Sequence, residues 1–300
     1  MRAVTYREYG DPSVLTVEDV PEPHAGPGQV RIRVEAASVN PIDWKFRAGY
    51  LQQMMPREFP VIPGNDAAGV VDEVGAGVSG TAVGDRVFGL SDIGTTADFT
   101  VLTAWAPVPG GWTPEQGAAA GAAAETAIRV LNLLGVGAGS TLLIEGAAGG
   151  VGSTAVQIAV ARGATVIGTA SEGNHDFLRS LGAMPTTYGP GLADRVGALA
   201  PGGVDLVFDA VGSGSLPELI KIAPSAGEVV SIADYTAGEH GVRLTAAPEA
   251  PAAALAEAAA LGTAGSYVPQ VAATYRLDQV GEAHTHNQAG HTRGKLIITV

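Results

Sequence analysis

Short apolar stretches interrupted by proline and glycine occupy the first 110 residues or so. The stretches are QVRIRVEAAS (29–38), AAGVVDEVG (67–75), GDRVFGL (84–90) and ADFTVL (97–102). Several short β-rich segments that are bounded by turn residues are typical of a small all-β barrel. We therefore predict a compact antiparallel barrel for this part of the chain.

The pattern changes after a Gly/Ala-rich helical stretch at 114–134. Apolar strand signals at TLLIE (141–145), TVIGT (165–169), VDLVFDA (204–210) and GEVVSIA (227–233) then alternate with helical segments. Alternation of this kind predicts a doubly wound parallel sheet. The chain ends on KLIITV (295–300), a strand that we expect to return to the barrel.

The segment TLLIEGAAGGVGS (141–153) contains a glycine fingerprint between a strand and a helix. Gly146, Gly149 and Gly152 follow the apolar strand at three-residue spacing, and a helical pattern follows them. In this context the first glycine permits a tight turn, the second permits close approach of a pyrophosphate, and the third permits close packing of helix on strand. The helix N-terminus offers free N–H groups to phosphate oxygens. The sequence therefore predicts a dinucleotide-binding loop.

Composition excludes several classes of protein. An apolar fraction of 46% against 16% charged residues excludes intrinsic disorder. A net charge of −13 argues against binding to nucleic acid or to anionic membranes. The absence of cysteine excludes disulfides, iron–sulfur clusters, thiol catalysis and cysteine-ligated zinc. With no signal-peptide pattern and no apolar run of about 20 residues, we expect a cytoplasmic protein.

Seven segments, in a fixed order, carry a family resemblance. They are SVNPIDWKFRAGYL (38–51), FPVIPGNDAAGVVDEVGAGV (59–78), VGDRVFGL (83–90), GAAGGVG (146–152), NHDFLRSLGA (174–183), FDAVG (208–212) and RGKLIITV (293–300). On these segments the chain resembles the zinc-free branch of the medium-chain dehydrogenase/reductase superfamily, the quinone oxidoreductase or zeta-crystallin-like proteins. The motif DWK at 43–45 looks closest to the enone and quinone reductases of that branch.

The resemblance implies a fold and a domain division. It implies an α/β protein in which a GroES-like β-barrel domain covers 1–112 and 262–300. A Rossmann NADP-binding domain with a doubly wound parallel sheet covers 113–261, and the C-terminal strands return to the barrel. This architecture agrees with the one that the apolar pattern predicts.

The zinc-using branch of the same superfamily raises the question of a metal. In that branch, a cysteine occupies the position of Asn40, and a Gly-His-Glu triplet occupies the positions of Gly64-Asn65-Asp66. His284, His286 and His291 lie near the C-terminus, but the surrounding THNQAGHTRG (285–294) resembles an exposed loop. We therefore expect no metal site. Without a Lewis acid to polarise an alcohol, reduction of an electron-poor acceptor is the favoured chemistry.

Cofactor choice is predicted at the end of the second strand of the alternating region. NAD sites place an acid about 20 residues after the fingerprint, where it binds the ribose diol. Thr169, Ala170 and Ser171 stand there instead, which favours NADPH. The basic residue often found nearby in the family is Gly173 here, and the neighbouring Glu172 is either a solvated loop acid or, if NADH is preferred, the ribose ligand.

The resemblance also implies a set of cofactor-binding residues. The phosphate of the adenosine ribose is expected beside Ser171, Asn174 and Tyr188. Thr126 matches a threonine beside the cofactor, whereas its neighbour Glu125 replaces an apolar residue for no reason evident in the sequence. The full set is Gly146, Gly149, Gly150, Val151, Gly152, Ser171, Asn174, Tyr188, Thr126, Val211, Ile232, Arg293 and Gly294.

Candidate catalytic residues lie in NPIDWKFRAGY (40–50), which by resemblance faces the nicotinamide. Lys45 would stabilise the enolate or hydroquinone anion that forms as hydride arrives, unless it is a solvent-facing loop lysine. Asn40 would bind the nicotinamide ribose or the substrate carbonyl, and Tyr50 is either a proton donor or part of the pocket wall. We expect Asp43 to orient its own loop rather than to shuttle a proton. Lys295 either closes over the nicotinamide or begins an exposed edge strand.

The favoured function is therefore NADPH-dependent, zinc-independent reduction of quinones or enones, with a small-molecule substrate. Two alternatives remain open: an enoyl-thioester reductase of a biosynthetic pathway, and a non-catalytic, crystallin-like NADPH-binding protein. In the family, the edge strands of the Rossmann sheet usually pair across a two-fold axis. We therefore expect a homodimer, formed through the segment around Gly241–Ala246.

Overall fold

The computed structural model describes residues 1–300 and divides them into two compact units. The first unit comprises Met1–Ala122, Pro251–Thr263 and Val268–Val300. The second comprises Ala123–Ala250 and Ala264–Tyr267. The chain thus leaves the first unit once and returns to it for its C-terminal part, apart from the four-residue segment Ala264–Tyr267.

Fifteen strands and eight α-helices make up the two units. The strands are β1 (Arg2–Thr5), β2 (Thr16–Asp19), β3 (Val30–Val39), β4 (Asp66–Val74), β5 (Arg86–Leu90), β6 (Phe99–Leu102), β7 (Ala104–Pro107), β8 (Thr141–Glu145), β9 (Thr165–Thr169), β10 (Met184–Thr186), β11 (Leu206–Asp209), β12 (Val229–Ser231), β13 (Arg243–Leu244), β14 (Val271–Arg276) and β15 (Lys295–Thr299). The helices are α1 (Pro41–Arg47), α2 (Pro114–Leu134), α3 (Gly150–Ala161), α4 (His175–Ser180), α5 (Leu192–Leu199), α6 (Leu216–Ile222), α7 (Pro251–Thr263) and α8 (Val280–Ala289).

The first unit is built on a seven-stranded sheet in the order β14-β15-β3-β4-β5-β7, with β6 also paired to β3. All of its pairs are antiparallel except β14 with β15. Alternate residues of β3 point into an apolar core, where Val30, Ile32 and Val34 pack with Val87 and Leu102. The central position of β3 brings the C-terminal strand β15 next to the segment that leads into α1.

The second unit contains a six-stranded parallel sheet in the order β10-β9-β8-β11-β12-β13. The chain moves outward from β8 to β10 and then returns to β11 on the other side of β8. The strand order therefore reverses between β8 and β11, and in open α/β sheets ligands bind outside the carboxyl ends of the strands at such a point. Leu143, Ile167, Val207 and Val229 form the strand side of the core.

Most of the predicted elements are confirmed, and with them the α/β fold class, but three details differ. The boundaries between units fall at 122/123 and 250/251 rather than at 112/113 and 261/262, because the start of α2 and all of α7 belong to the first unit. A Cβ added to Gly262 of α7 would lie 2.4 Å from Cζ2 of Trp112.

The second and third details concern the C-terminal region. The prediction of a loop at 285–294 is wrong over its first half, because α8 extends to Ala289, although most of 285–289 is exposed as predicted. His284, just before this segment, is buried. The alternative in which Lys295 begins an exposed edge strand is also wrong. Its strand lies between β14 and β3, and only 6% of the residue is exposed. None of the helices has the length and hydropathy that a membrane span requires.

Candidate functional site

The glycine fingerprint forms the loop between β8 and α3, in the second unit. Gly146 has a φ of 76°, and a Cβ there would lie 2.3 Å from Cγ2 of Val211. A Cβ on Gly152 would lie 2.1 Å from the backbone oxygen of Gly146. Both positions therefore require glycine because of the protein's own backbone geometry and packing.

Gly149 differs from the other two glycines because the protein itself leaves room for a side chain there. An added Cβ would meet only the oxygen of Gly146, at an ordinary contact distance of 3.5 Å. Gly149 precedes α3, and no side chain caps this helix, so the first-turn N–H groups of Gly150, Val151 and Gly152 lack intrahelical acceptors. An uncapped helix N-terminus beside an open glycine fits the pyrophosphate of a dinucleotide.

The end of β9 carries a hydroxyl where many NAD sites carry an acid. Thr169 Oγ1 accepts a hydrogen bond from Gly146 N at 3.1 Å, so this side chain fixes the glycine loop. Beyond it, Ser171 and Glu172 are exposed, and the amide of Asn174 donates to Ser171 Oγ at 3.2 Å. Tyr188 is also exposed. The surface after β9 therefore presents hydroxyl and amide groups together with one exposed acid.

Two buried acids that we did not identify from the sequence as site residues lie at the ends of β8 and β11. Asp209 Oδ1 accepts hydrogen bonds from Val211 N and Gly212 N, both at 2.9 Å. Its Oδ2 accepts from Ser231 Oγ at 2.7 Å. These bonds hold the turn in which Val211 lies against Gly146. Ile232 follows β12, and its backbone N–H donates to the oxygen of Asp209 at 3.1 Å.

Glu145 is the neighbouring acid at the end of β8. Its carboxyl group accepts hydrogen bonds from Ser215 Oγ and, at 3.5 Å, from Ser213 Oγ. Burial raises the pKa of Glu145, and the nearby charge of Asp209 adds to that effect. We call Glu145, Asp209, Ser213, Ser215 and Ser231 the sheet-end cluster.

Glu125, for which the sequence offered no explanation, forms a buried ion pair with Arg129 one helical turn later. The distance between Arg129 Nε and Glu125 Oε1 is 2.9 Å, and both side chains are at least nine-tenths buried. The guanidinium also donates to Thr245, and more weakly to Thr126 at 3.5 Å. Glu125 therefore fixes α2 and the segment after β13 within the second unit.

The first unit places its candidate residues around α1. Pro41 is at the first helical position, and the backbone N–H of Asn40 donates to Asp43 Oδ2 at 2.7 Å. Such a bond satisfies one of the free donors at a helix start. The expectation that Asp43 orients its own segment agrees with this bond.

A chain of buried hydrogen bonds connects Asn40 with β4 and β15. Lys295 Nζ donates to Asn40 Oδ1, and Asn40 Nδ2 donates to Asp66 Oδ1 at 2.8 Å and to Ser38 Oγ at 3.3 Å. Asp66 also accepts from Ser38 Oγ at 2.5 Å and from Ala122 N at 2.7 Å. We call Ser38, Asn40, Asp43, Asp66 and Lys295 the barrel polar cluster.

Asp43 connects this cluster to a pocket of about 270 Å³ within the first unit. Its lining also includes Tyr6, Phe46, Arg57 and Asp92. Burial raises the pKa of Asp43 to about 7. The backbone N–H of Asn40 opposes this shift, the charge of Asp66 adds to it, and Lys295 opposes it.

Lys45 and Tyr50 lie on either side of the C-terminal end of α1. The side chain of Lys45 is about half-buried, and this burial lowers its pKa. Tyr50 is 68% exposed, and its ring stacks edge-on against Trp44 with the centroids 5.6 Å apart. Arg293 is exposed, whereas Gly294 is buried with a φ of 90°, and a Cβ there would lie 2.4 Å from the oxygen of Gln270.

Two family models match the chain. The alcohol dehydrogenase GroES-like domain matches residues 26–129, and the zinc-binding dehydrogenase model matches residues 188–298. Quinone oxidoreductase from Pongo abelii is 31% identical over 99% of this chain and 97% of its own length. The chain therefore belongs to the medium-chain dehydrogenase/reductase superfamily of oxidoreductases, among the quinone oxidoreductase homologues, and the predicted family is confirmed.

Two further comparisons bear on chemistry. The 2-methylene-furan-3-one reductase from Solanum lycopersicum is 34% identical over 77% of this chain, which spans 61% of the length of that relative. A mycobacterial protein solved in complex with NADPH has a TM-score of 0.86 and 29% identity, covering 100% of both chains. The first of these proteins is named as a reductase of an enone, and the second is a complex with a nicotinamide nucleotide.

The barrel polar cluster does not fit the zinc ion that the second family model's name implies. Asp66 accepts three hydrogen bonds, and the amide nitrogen of Asn40 is a donor. The ammonium of Lys295 already supplies a positive charge beside them. No group of three or more histidine, cysteine, aspartate or glutamate side chains is arranged to hold a metal ion.

Proposed function

We propose that the protein is an NADPH-dependent, zinc-independent reductase of quinones or enones. The observation that carries this proposal is the open, uncapped glycine loop at the reversal of strand order, followed by a β9 end without an acid. The names of the relatives support the acceptor class, since they include a quinone oxidoreductase and a furanone reductase. The NADPH complex of a structural neighbour supports the cofactor.

Bound NADPH would supply the hydride, and the following residues of the chain would hold it. The first-turn N–H groups of α3 would bind the pyrophosphate, and Ser171, Asn174 and Tyr188 would bind the 2′-phosphate. The remaining contacts that we propose come from Thr126, Val211, Ile232, Arg293 and Gly294. The end of β9 carries Thr169 instead of an acid, and this favours NADPH because a carboxylate at that position would repel the 2′-phosphate.

Lys45 is the group that we propose for stabilising negative charge on the acceptor oxygen. A half-buried ammonium interacts more strongly with such a charge than a solvated one, because the surrounding dielectric constant is lower. The hydrogen bonds of Asn40 within the protein limit the contacts that its side chain can make with a cofactor or substrate. Both of its amide hydrogens are donated to Asp66 and Ser38, which leaves it able only to accept, for example from a ribose hydroxyl.

The decisive experiment on Lys45 is Lys45→Met. We expect the hydride-transfer rate to fall about 10²-fold while the Kd for NADPH stays the same. The exposed Lys221, in α6, provides the control Lys221→Met, which should alter neither quantity. A loss confined to NADPH affinity would reassign Lys45 to cofactor binding, and no change in either would move the search to Tyr50.

Cofactor preference and metal content test the other two parts of the proposal. Fluorescence titration should give tighter binding of NADPH than of NADH. Equal or tighter NADH binding would contradict the prediction and assign Glu172 as the ribose ligand. Elemental analysis should find no stoichiometric zinc, and activity with a panel of quinones and enones should survive a chelator.

We also propose a homodimer. Strand β13 (Arg243–Leu244) is the edge of the parallel sheet, and an unpaired edge is satisfied when two copies pair across a two-fold axis. A monomeric mass at micromolar concentration would contradict this assembly.

A further inference from the structure

Asp43 is the one member of the barrel polar cluster that also lines the 270 Å³ pocket of the first unit. Only 4% of the residue is exposed, so Asp43 contributes to the pocket wall as a buried residue. Residues of the segment 56–65 form much of the pocket wall. Arg57, Glu58 and Asp92 give this wall a polar, charged character. A buried carboxyl at the wall of a polar pocket is placed to exchange a proton with a bound molecule.

The charges of the cluster decide which carboxyl holds a proton. Two carboxyl groups, Asp43 and Asp66, share one ammonium, that of Lys295. Asp66 accepts hydrogen bonds from Ser38, Asn40 and Ala122, and these donors stabilise its charged form. Asp43 accepts one backbone bond at 2.7 Å, and a neutral acid can accept the same bond on its carbonyl oxygen. The cluster is electrically neutral when Asp43 carries the proton.

The groups facing Asp43 from other elements agree with that assignment. Asp66 on β4 raises its pKa, Lys295 on β15 lowers it, and burial outweighs both, which gives a value of about 7. Tyr6, which follows β1, is itself buried, and its pKa of about 12 keeps it neutral. An acid whose pKa lies near the working pH is about half protonated at that pH. After it has donated its proton, solvent can protonate it again, as general acid catalysis requires.

We infer that Asp43 not only orients α1 but, contrary to the expectation from the sequence, is also the proton donor for an acceptor bound in this pocket, an inference that rests on the proposed reductase function. As hydride adds to the β-carbon of an enone, a C–H bond forms and the electron pair of the double bond moves to give an enolate. The O–H bond of Asp43 then breaks, and its proton adds to the enolate. Asp43 is left as a carboxylate beside Lys295 and regains its proton from water. The substrate gains two electrons and two hydrogens, one from NADPH and one from the acid.

The first test needs neither cofactor nor substrate. Carbon-13 NMR of the aspartate carboxyl groups should reveal one resonance that titrates near pH 7 in the wild type and is absent from Asp43→Asn. Lys295→Met should move its midpoint upward by about one pH unit or more, because the ammonium favours the carboxylate. A carboxyl midpoint below pH 5 would overturn the inference even if the enzyme reduces enones well.

The second test is kinetic and uses Asp43→Asn, which keeps an oxygen for the Asn40 N–H. Enone reduction should slow by about 10²-fold, with thermal stability retained and NADPH affinity changed less than twofold. The wild-type kcat should fall as pH rises through 7, and the variant should lose this limb. The exposed Asp19 provides the control Asp19→Asn, which makes the same change of charge and should behave as wild type.

The two proposals fail in different ways. Wild-type protein that reduces no quinone or enone would contradict the reductase function. An active wild type whose rate and pH profile are unchanged by Asp43→Asn would contradict the role of Asp43 alone. If Asp43→Asn does not fold, the coincidence of the wild-type NMR midpoint with the alkaline limb of kcat decides the question.

Discussion

The barrel polar cluster and the sheet-end cluster both bury a pair of acids, but only the first contains a cation. In the sheet-end cluster, Glu145 and Asp209 are satisfied by serine hydroxyls and backbone N–H groups. In the barrel polar cluster, an ammonium joins the network through the amide of Asn40. In each pair the acid whose pKa rises is raised mainly by burial. Loss of hydration therefore sets the proton affinity in both clusters, while the cation changes the net charge of the barrel polar cluster alone.

The strongest test of this difference removes the cation. Lys295→Met should lower the free energy of unfolding by about 3–5 kcal/mol at pH 8, because it leaves the buried acids Asp43 and Asp66 without the one cation of the cluster. The loss should shrink at pH 5, since Asp43 is then protonated and one buried negative charge fewer has to be balanced. Urea unfolding at both pH values measures this, with Lys221→Met as the exposed control. An equal loss at both pH values would contradict the role of charge.

Asp43 and another buried group, His284, should change the stability in opposite directions as the pH rises. The pKa of Asp43 is raised from 3.8 to about 7, so the folded state binds more protons and stability falls as pH rises through that interval. Burial lowers the pKa of His284 from 6.5 to about 4, with the charge of Arg47 adding to it, so stability rises with pH between those values.

In the wild type these two slopes oppose each other between pH 4 and 6.5. Asp43→Asn should leave a rise in stability with pH across this range, and His284→Gln should leave a fall, each of about 3 kcal/mol. Denaturant titrations at several pH values measure both slopes. Two variants with the same slope as the wild type would show that neither group titrates as described.

A matched pair of substitutions compares the two clusters directly. Asp209→Asn keeps an oxygen for Val211 N and Gly212 N, and Ser231 can accept from its amide, so we expect a loss of about 1 kcal/mol. Asp66→Asn removes the charge that balances Lys295 and should cost about 2–3 kcal/mol. It should also lower the pKa of Asp43, which NMR would detect. A larger loss of stability for Asp209→Asn than for Asp66→Asn would contradict the greater importance of charge in the barrel polar cluster.

The smallest expected effect is that of Ser215→Ala in the sheet-end cluster. It removes a hydrogen bond to Glu145 and should lower stability by about 1 kcal/mol. Because the hydroxyl favours the charged carboxylate, its loss should raise the pKa of Glu145 further. Ser140→Ala, which removes a hydroxyl that accepts from Gly137 N at 3.2 Å in a half-buried turn, is the control and should leave Glu145 unchanged.

The sequence determined the elements whose signals are local. The β-rich runs became β3 to β6, the alternating runs became the parallel sheet, and the spacing of Gly146, Gly149 and Gly152 located the loop before α3. These predictions succeeded because apolar period and glycine backbone freedom act within a few residues. The helix at Val280–Ala289 was missed because its polar, histidine-rich sequence has weak apolar periodicity, and burial of His284 depends on the strands beneath it.

Only the tertiary structure decided how the buried charges are arranged. Lys295 and Asn40 are 255 positions apart, yet the antiparallel pairing of β15 with β3 places one beside the other. The same pairing made Lys295 an interior residue instead of an edge residue, and β4 brought in Asp66, whose position at the start of an apolar run was the one available signal. No local pattern encodes such contacts, because a charge becomes costly or useful only when distant strands remove it from water.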